Sequence, residues 1–187
     1  MPVIRSAPGL QDKLGILSAD AQYDLSCACS CGSGDPRRRG LDNRWLYPVT
    51  LQSGGHSLMF KTLVSNVCTN DCKYCPLRAG HDVTARCSLA PEEIVRAFLP
   101  YWKSGQVIGL FLTSGVCGNP DAAMDRMLAA AELLRRRERY RGILHLKIIP
   151  GASDAAIDRA LALASGVSLN IETAGESHFA KLTTRKD

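Results

Sequence analysis

Asn66 to Arg78 reads N-V-C-T-N-D-C-K-Y-C-P-L-R, just behind the apolar run L-M-F-K-T-L-V of Leu58 to Val64. The run predicts a strand, and the loop after it carries Cys68, Cys72 and Cys75 at C-x3-C-x2-C spacing, with Tyr74 before the last. Three thiolates can hold three irons of a four-iron cubane. The fourth iron then stays open to a small molecule, whereas electron-carrying clusters of ferredoxin type are closed by four cysteines. The competing arrangement is a zinc ion with Cys87 or His81 as fourth ligand. Zinc sites, however, usually come as two separated C-x2-C pairs or with paired histidines. Free thiols seldom crowd so tightly into one loop.

Outward from this loop the chain alternates helix and strand signals. Pro91 opens a helix, with Glu92 and Glu93 suited to its N-terminus. Ile94, Val95, Phe98, Leu99 and Trp102 share a face, and Pro100 predicts an end or a kink. Val107 to Leu112 is a near-continuous apolar run, as in a strand buried on both faces. Asn119 caps a second helix with Pro120 at its first position and Met124, Met127, Leu128, Ala131 and Leu134 inward. Ile143 to Ile149 is a third strand. Ser153 caps a third helix that turns Ile157, Ala160, Leu161 and Ala164 inward and ends at Gly166. Val167 to Ile171 is a fourth strand, and Glu176 to Leu182 begins a fourth helix. This βαβαβαβ order predicts a parallel sheet with right-handed crossovers. Ligands of such sheets gather at the carboxyl ends of the strands. There lie the cysteines, Thr113-Ser114-Gly115, Pro150-Gly151 and Glu172-Thr173.

Residues 1–57 read as a loop-rich leader and residues 58–187 as the core. Within the leader only Gln11 to Ala21 has weak helical character, Asp35 to Gly40 is a charged turn, and Trp45, Leu46, Tyr47 and Val49 are anchors. Across 187 residues the apolar fraction is 45% and the net charge +5, enough for a core and mildly basic. No stretch approaches the ~20 apolar residues of a membrane span, and no apolar run follows Arg5 as in a signal peptide. A soluble cytoplasmic protein is expected, its eight cysteines reduced or metal-bound.

The cysteine loop behind a first strand resembles the radical S-adenosylmethionine superfamily. Within it, K-L-G-I-L-S-A-D-A-Q-Y-D-L-S-C (Lys13 to Cys27), the cysteine loop and G-L-F-L-T-S-G-V (Gly109 to Val116) resemble the radical SAM proteins assigned to DNA modification or repair. The resemblance implies an α/β fold, a partial (β/α) barrel of about four parallel strands. The superfamily core has six β/α units, so the chain reads as truncated. It also implies a 4Fe-4S cluster on Cys68, Cys72 and Cys75, with S-adenosyl-L-methionine at the open iron and Tyr74 beside it. Reductive cleavage would release a 5′-deoxyadenosyl radical. Thr113, Ser114 and Gly115 stand where relatives carry a Gly-Gly-Glu-like segment that receives the methionine amino group; no acid occupies the third position here. The implied partners are a DNA or nucleotide substrate, a uracil-DNA-glycosylase-like protein and an electron donor. The alternative is a non-catalytic zinc or iron–sulfur module that works through a partner.

Other residues are read from their own pattern. Asn170 and Glu172 alternate on the expected fourth strand, so both can face the lumen and bond the ribose hydroxyls or the carboxylate side of methionine. His145 and Lys147 share a face of the third strand in the same way. Cys27, Cys29 and Cys31 form C-x-C-x-C, whose one-residue gaps point alternate side chains apart, as in ordinary loop thiols. Cys87 and Cys117 read as small buried residues. Arg37 to Arg39 and Arg135 to Arg141 read as solvated basic runs, with a nucleic-acid backbone contact as the sharper alternative.

Overall fold

The computed structural model describes residues 8–24, 37–40, 42, 44–51, 53–81 and 85–186. Cys27, Cys29 and Cys31 lie outside them. Helix α1 (Leu10–Asp20) and a 3-10 turn (Ala21–Tyr23) come first, then β1 (Arg38–Arg39), β2 (Trp45–Thr50) and β3 (His56–Leu63). Next are α2 (Pro91–Lys103), β4 (Gly109–Thr113), α3 (Pro120–Glu132) with a π-helical turn at Leu133–Arg137, and β5 (Ile143–Lys147). Helix α4 (Asp154–Leu163), β6 (Gly166–Ser168) and α5 (Glu176–Leu182) complete the order.

One sheet runs β1-β2-β3-β4-β5-β6. Strands β3 to β6 are parallel, as the helix–strand alternation requires. Strands β1 and β2 add to the leading edge antiparallel, through pairs such as Arg39 with Trp45 and Tyr47 with Met59. The strand number is therefore six rather than four. Residues read as anchors of an irregular leader are strand residues: W-L-Y-P-V-T pairs back on β3 across a short connection. The sheet is open, with β1 and β6 at its edges.

The N-terminal signals place the helices. Asn119 Oδ1 accepts from the Ala122 amide at 2.8 Å, and Ser153 Oγ from the Ala156 amide at 3.4 Å. Helix α2 runs through Pro100 to Lys103 rather than ending there. Pro100 sits in its last turn, where a missing N–H removes only one bond. Two expected inward residues face out: Trp102 at the end of α2, edge-on to Tyr140, and Leu161 on α4.

Alternation along the strands divides the sheet faces. Phe60, Leu110, Leu112, Leu144 and Leu146 belong to the main core with Phe98, Met124, Met127 and Leu128 of the helices. Phe60 meets Phe98 and Tyr101 edge-on at 6.0 and 5.1 Å. Lys61, Phe111, His145 and Lys147 occupy the intervening positions of β3, β4 and β5, in register as Lys61 beside Phe111 and Phe111 beside His145. Helix α1 is tied to the rest by the Tyr47 hydroxyl, which donates to the Ser18 carbonyl at 2.6 Å, and by a Lys13–Glu93 ion pair at 3.0 Å. No helix among the described residues is long and apolar enough to cross a membrane.

Candidate metal and cofactor site

The carboxyl ends of the parallel strands open on one cavity of about 150 Å³. One water needs only about 10–15 Å³ by this measure, so the void is of ligand size rather than a packing gap. Cys68, Cys72 and Cys75 line it, with Tyr74, Thr113, Ser114, Gly115, Asn170 and Glu172. Every residue singled out for cluster or cofactor binding thus borders the same space, although the segments are up to about a hundred residues apart. Lys147 and Lys186 border it too, as do Tyr23 and Asp24 from beyond α1.

The cysteine loop is fixed by a buried polar frame. Asn66, wholly buried, donates through Nδ2 to Asp20 Oδ2 and to the Ala85 carbonyl, both at 2.8 Å. Its Oδ1 accepts from the Cys87 amide at 2.8 Å. Arg86 donates to the carbonyls of Asn66, Leu77, Arg78 and His81 at 2.6, 3.1, 3.3 and 2.5 Å. On the other side, the Gly115 amide donates to the Ser65 carbonyl at 2.7 Å and the Thr69 amide to the Val116 carbonyl at 2.9 Å. A Cβ on Gly115 would stand 2.6 Å from the Val67 carbonyl oxygen and 3.2 Å from Cys68 Cβ. That close approach is the reason for glycine here.

Three thiols border one void, and Cys75 is pushed above its ordinary value by burial and by the neighbouring Cys68 and Cys72. Binding a metal there would release protons. Among the described residues no group of three or more His, Cys, Asp or Glu side chains is placed to hold a metal ion. The residues considered as a fourth zinc ligand do not border the cavity: His81 Nδ1 lies 3.1 Å from the Pro76 carbonyl, and Cys87 is buried with its Sγ toward the Lys13 carbonyl. Cys117 is half-buried rather than buried, and its Sγ accepts from Arg126 at 3.3 Å.

Asn170 and Glu172 reach the cavity by a different route from strand alternation. Strand β6 stops at Ser168, so both sit in the following loop, and Glu172 adopts φ 65°. The Glu172 carboxylate accepts from Lys186 Nζ at 2.5 Å, and Lys186 also donates to the Tyr74 hydroxyl at 3.1 Å. Burial opposes ionisation of Glu172, but Lys186, aided by Tyr74 and Asn170, outweighs it and holds the carboxyl below its usual range. Burial and the nearby Cys72 and Glu172 raise the Tyr74 phenol.

A second polar group lies deeper on the same sheet face. Lys147 Nζ pairs with Asp24 Oδ1 at 2.6 Å, both groups at least nine-tenths buried, and Lys61 donates to the Asp24 carbonyl. His145 stacks on Phe111 (4.5 Å, 8°), and its Nε2 lies 2.9 Å from Ser168 Oγ. Burial pushes the imidazole below its ordinary value, Lys147 and Lys61 add to this, and Asp24 opposes it. The fold therefore prefers neutral His145, and the unfolded chain takes up the proton first as pH falls. Stability is intact above about pH 6.5 and declines below it. His145→Gln should flatten that decline between about pH 7 and pH 5 in denaturant unfolding; equal slopes in both proteins would refute the assignment.

Asn66 and Asp71 stand inside the cysteine segment and Asp24 inside the Lys13 to Cys27 stretch, whereas Arg86 and Lys186 lie in no motif.

No family model and no curated protein matches the chain. Among solved structures the chain resembles HydG, a maturase of the [FeFe]-hydrogenase, at 18% identity and a TM-score of 0.55. The match covers 68% of this chain and 28% of that one, so the chain spans well under a third of that protein's length. At this identity the likeness is one of fold: a mixed α/β sheet, mostly parallel, with helices between its strands.

Proposed function

We propose that the chain is a radical SAM protein that holds a 4Fe-4S cluster on Cys68, Cys72 and Cys75 and binds S-adenosylmethionine in the adjoining cavity. The observation that carries this is the convergence of the three thiols, the T-S-G turn and the Asn170–Glu172 loop on one void at the carboxyl ends of parallel strands. The likeness of fold to HydG supports it. Such a cluster, when bound, supplies the electron that breaks the sulfonium bond of S-adenosylmethionine.

The chain's own residues bind and orient. Gly115 lets the second loop close against Cys68, one of the three residues that would hold the cluster. Ser114 Oγ donates to the Gly115 carbonyl at 2.8 Å and stiffens that turn. Asn170 and Glu172 offer acceptors for ribose hydroxyls, Glu172 as an anion already paired with Lys186. Tyr74 forms part of the wall between the cysteine loop and Glu172. The apolar residues Leu63, Leu77, Val116, Ile148 and Ile149 line much of the rest of the cavity.

For substrate we take the class implied by the subfamily resemblance, DNA or a nucleotide, with a uracil-DNA-glycosylase-like protein as partner. The two basic runs differ in how well they suit this. Arg37 and Arg39 clasp the Trp45 ring at 4.1 and 3.5 Å, and Arg37 reaches the Ala19 carbonyl, near the cavity end of the sheet. The run that ends at Arg141 precedes β5, at the opposite end of the strands. Within it Arg135 is a structural cap, donating to the carbonyls of Leu163, Tyr140 and Gly142.

Anaerobic iron–sulfur reconstitution tests the proposal. The protein should take up about four irons per chain with visible charge-transfer absorption, and lose both when Cys68, Cys72 and Cys75 are replaced by alanine. Reduction in the presence of S-adenosylmethionine should then yield 5′-deoxyadenosine. Stoichiometric zinc without iron would overturn the reading in favour of a non-catalytic module.

A further inference from the structure

The cysteine loop has a second attachment, made by one carboxylate to chain more than a hundred residues away. Asp71, the residue before Cys72, accepts from the Thr183 hydroxyl at 2.6 Å, the Thr184 amide at 3.0 Å, the Thr184 hydroxyl at 2.6 Å and the Arg185 amide at 3.2 Å. Both its oxygens are used. Three flanking bonds join the same two segments: the Lys73 amide to the Leu182 carbonyl at 2.9 Å, Lys73 Nζ to the Lys181 carbonyl at 2.7 Å, and Arg185 Nη1 to the Thr69 carbonyl at 3.3 Å. The loop is thus gripped from Thr69 to Lys73, on both sides of Cys72, while the same strand of chain carries Lys186 into the cavity against Glu172 and Tyr74.

We infer that Asp71 is a positioning residue: its carboxylate clamps the 182–186 segment onto the cysteine loop, setting the Cys72 thiol and Lys186 at the border of the same cavity. A carboxylate suits this task because four donors converge on it, two backbone amides and two hydroxyls, and an anion accepts them all without a donor of its own to place. No other carboxylate is available in the motif, since Asp71 is its only acid. The role of the clamp in cluster retention rests on the cluster reading above; its role in ordering the loop does not.

The test uses the full chain, first without metal, in two readouts. One is the alkylation rate of Cys72, with buried Cys87 as internal gauge of global loosening. The other is hydrogen exchange at the Lys73, Thr184 and Arg185 amides. Asp71→Ala should speed Cys72 labelling and exchange at these amides at least about tenfold, with Cys87 unchanged. Asp71→Asn should restore most of the protection, because its carbonyl keeps the Oδ1 bonds and the Thr184 hydroxyl can turn to accept. Thr183→Ala with Thr184→Ala should reproduce part of the Asp71→Ala effect, because the Thr184 and Arg185 amide bonds remain, and adding both to Asp71→Ala should change nothing further. In the second arm, reconstituted Asp71→Ala should lose its iron faster than the unmodified protein. Unchanged Cys72 labelling, equal acceleration at Cys87, or additive effects would overturn the clamp. If the unmodified protein takes up no iron, the cluster reading fails while the labelling arm still judges the clamp.

Discussion

Gly115→Val is expected to leave the reconstituted protein without iron, and Gly115→Ala to retain only a minor fraction. The added Cβ would lie 2.6 Å from a backbone oxygen, Val67, rather than from the tip of a movable side chain. The loop cannot simply retreat. The Ser65 carbonyl is bonded to the Gly115 amide itself, and the Thr69 amide to the Val116 carbonyl, so the two chains are joined on either side of the contact. Opening the gap gives up those bonds at about 1 kcal/mol each; keeping it costs about 1–3 kcal/mol of overpacking. Either way Cys68, whose Cβ is the next neighbour at 3.2 Å, is displaced from its wall of the cavity. Valine adds two methyls to the same clash. The control is Gly15→Ala on α1, where nothing lies within 4 Å of the new Cβ. That change should be neutral or stabilise by up to about 1 kcal/mol. The measurement is iron per chain after anaerobic reconstitution, with a denaturant midpoint for each variant. Full iron in Gly115→Ala would show that the close approach does not matter.

The contrast between these glycines shows where sequence reading works and where it stops. Parallel strands β3, β4 and β5, their helices and the caps at Asn119 and Ser153 were legible because each follows from local period or from one residue's chemistry. The place of the three cysteines, behind β3 at its carboxyl end, was legible for the same reason. Strands β1 and β2 were not: Arg38–Arg39 is too short to carry a period, and β2 contains Pro48 opposite Leu58. Strand β6 is shorter than its pattern predicts, since V-S-L-N-I continues the apolar alternation past Ser168, where pairing with β5 has already ended at Lys147. Asn170 and Glu172 still reached the cavity, through the loop conformation at Glu172 rather than through alternation. A polar frame such as that of Arg86 has no sequence signature, because its partners are backbone carbonyls that any residue supplies.

Asn66→Ala is expected to be the most destabilising single change in the loop. The side chain has no exposure, and its amide has three partners on two other pieces of chain: Asp20 at the end of α1, and the Ala85 carbonyl and Cys87 amide of one segment. Alanine leaves all three partners in place and removes what satisfies them. Bonds between neutral groups are worth about 1 kcal/mol each and those to a charged group about 1.5–3, and a buried partner left bare loses its solvation as well. The sum is a loss of about 3–5 kcal/mol, a large share of the 5–15 kcal/mol typical of a domain. Water cannot readily replace the amide, since the three partners need two donors and an acceptor in one plane. The loss should also spread. Asp20 and Asp24 flank the 3-10 turn, so freeing Asp20 loosens the segment that brings Asp24 to Lys147. Denaturant unfolding should therefore show a lower midpoint, and hydrogen exchange should show early opening at both α1 and residues 85–89. A loss below about 1 kcal/mol would mean that the three partners find other bonds, and that the loop does not depend on Asn66 for its hold on α1.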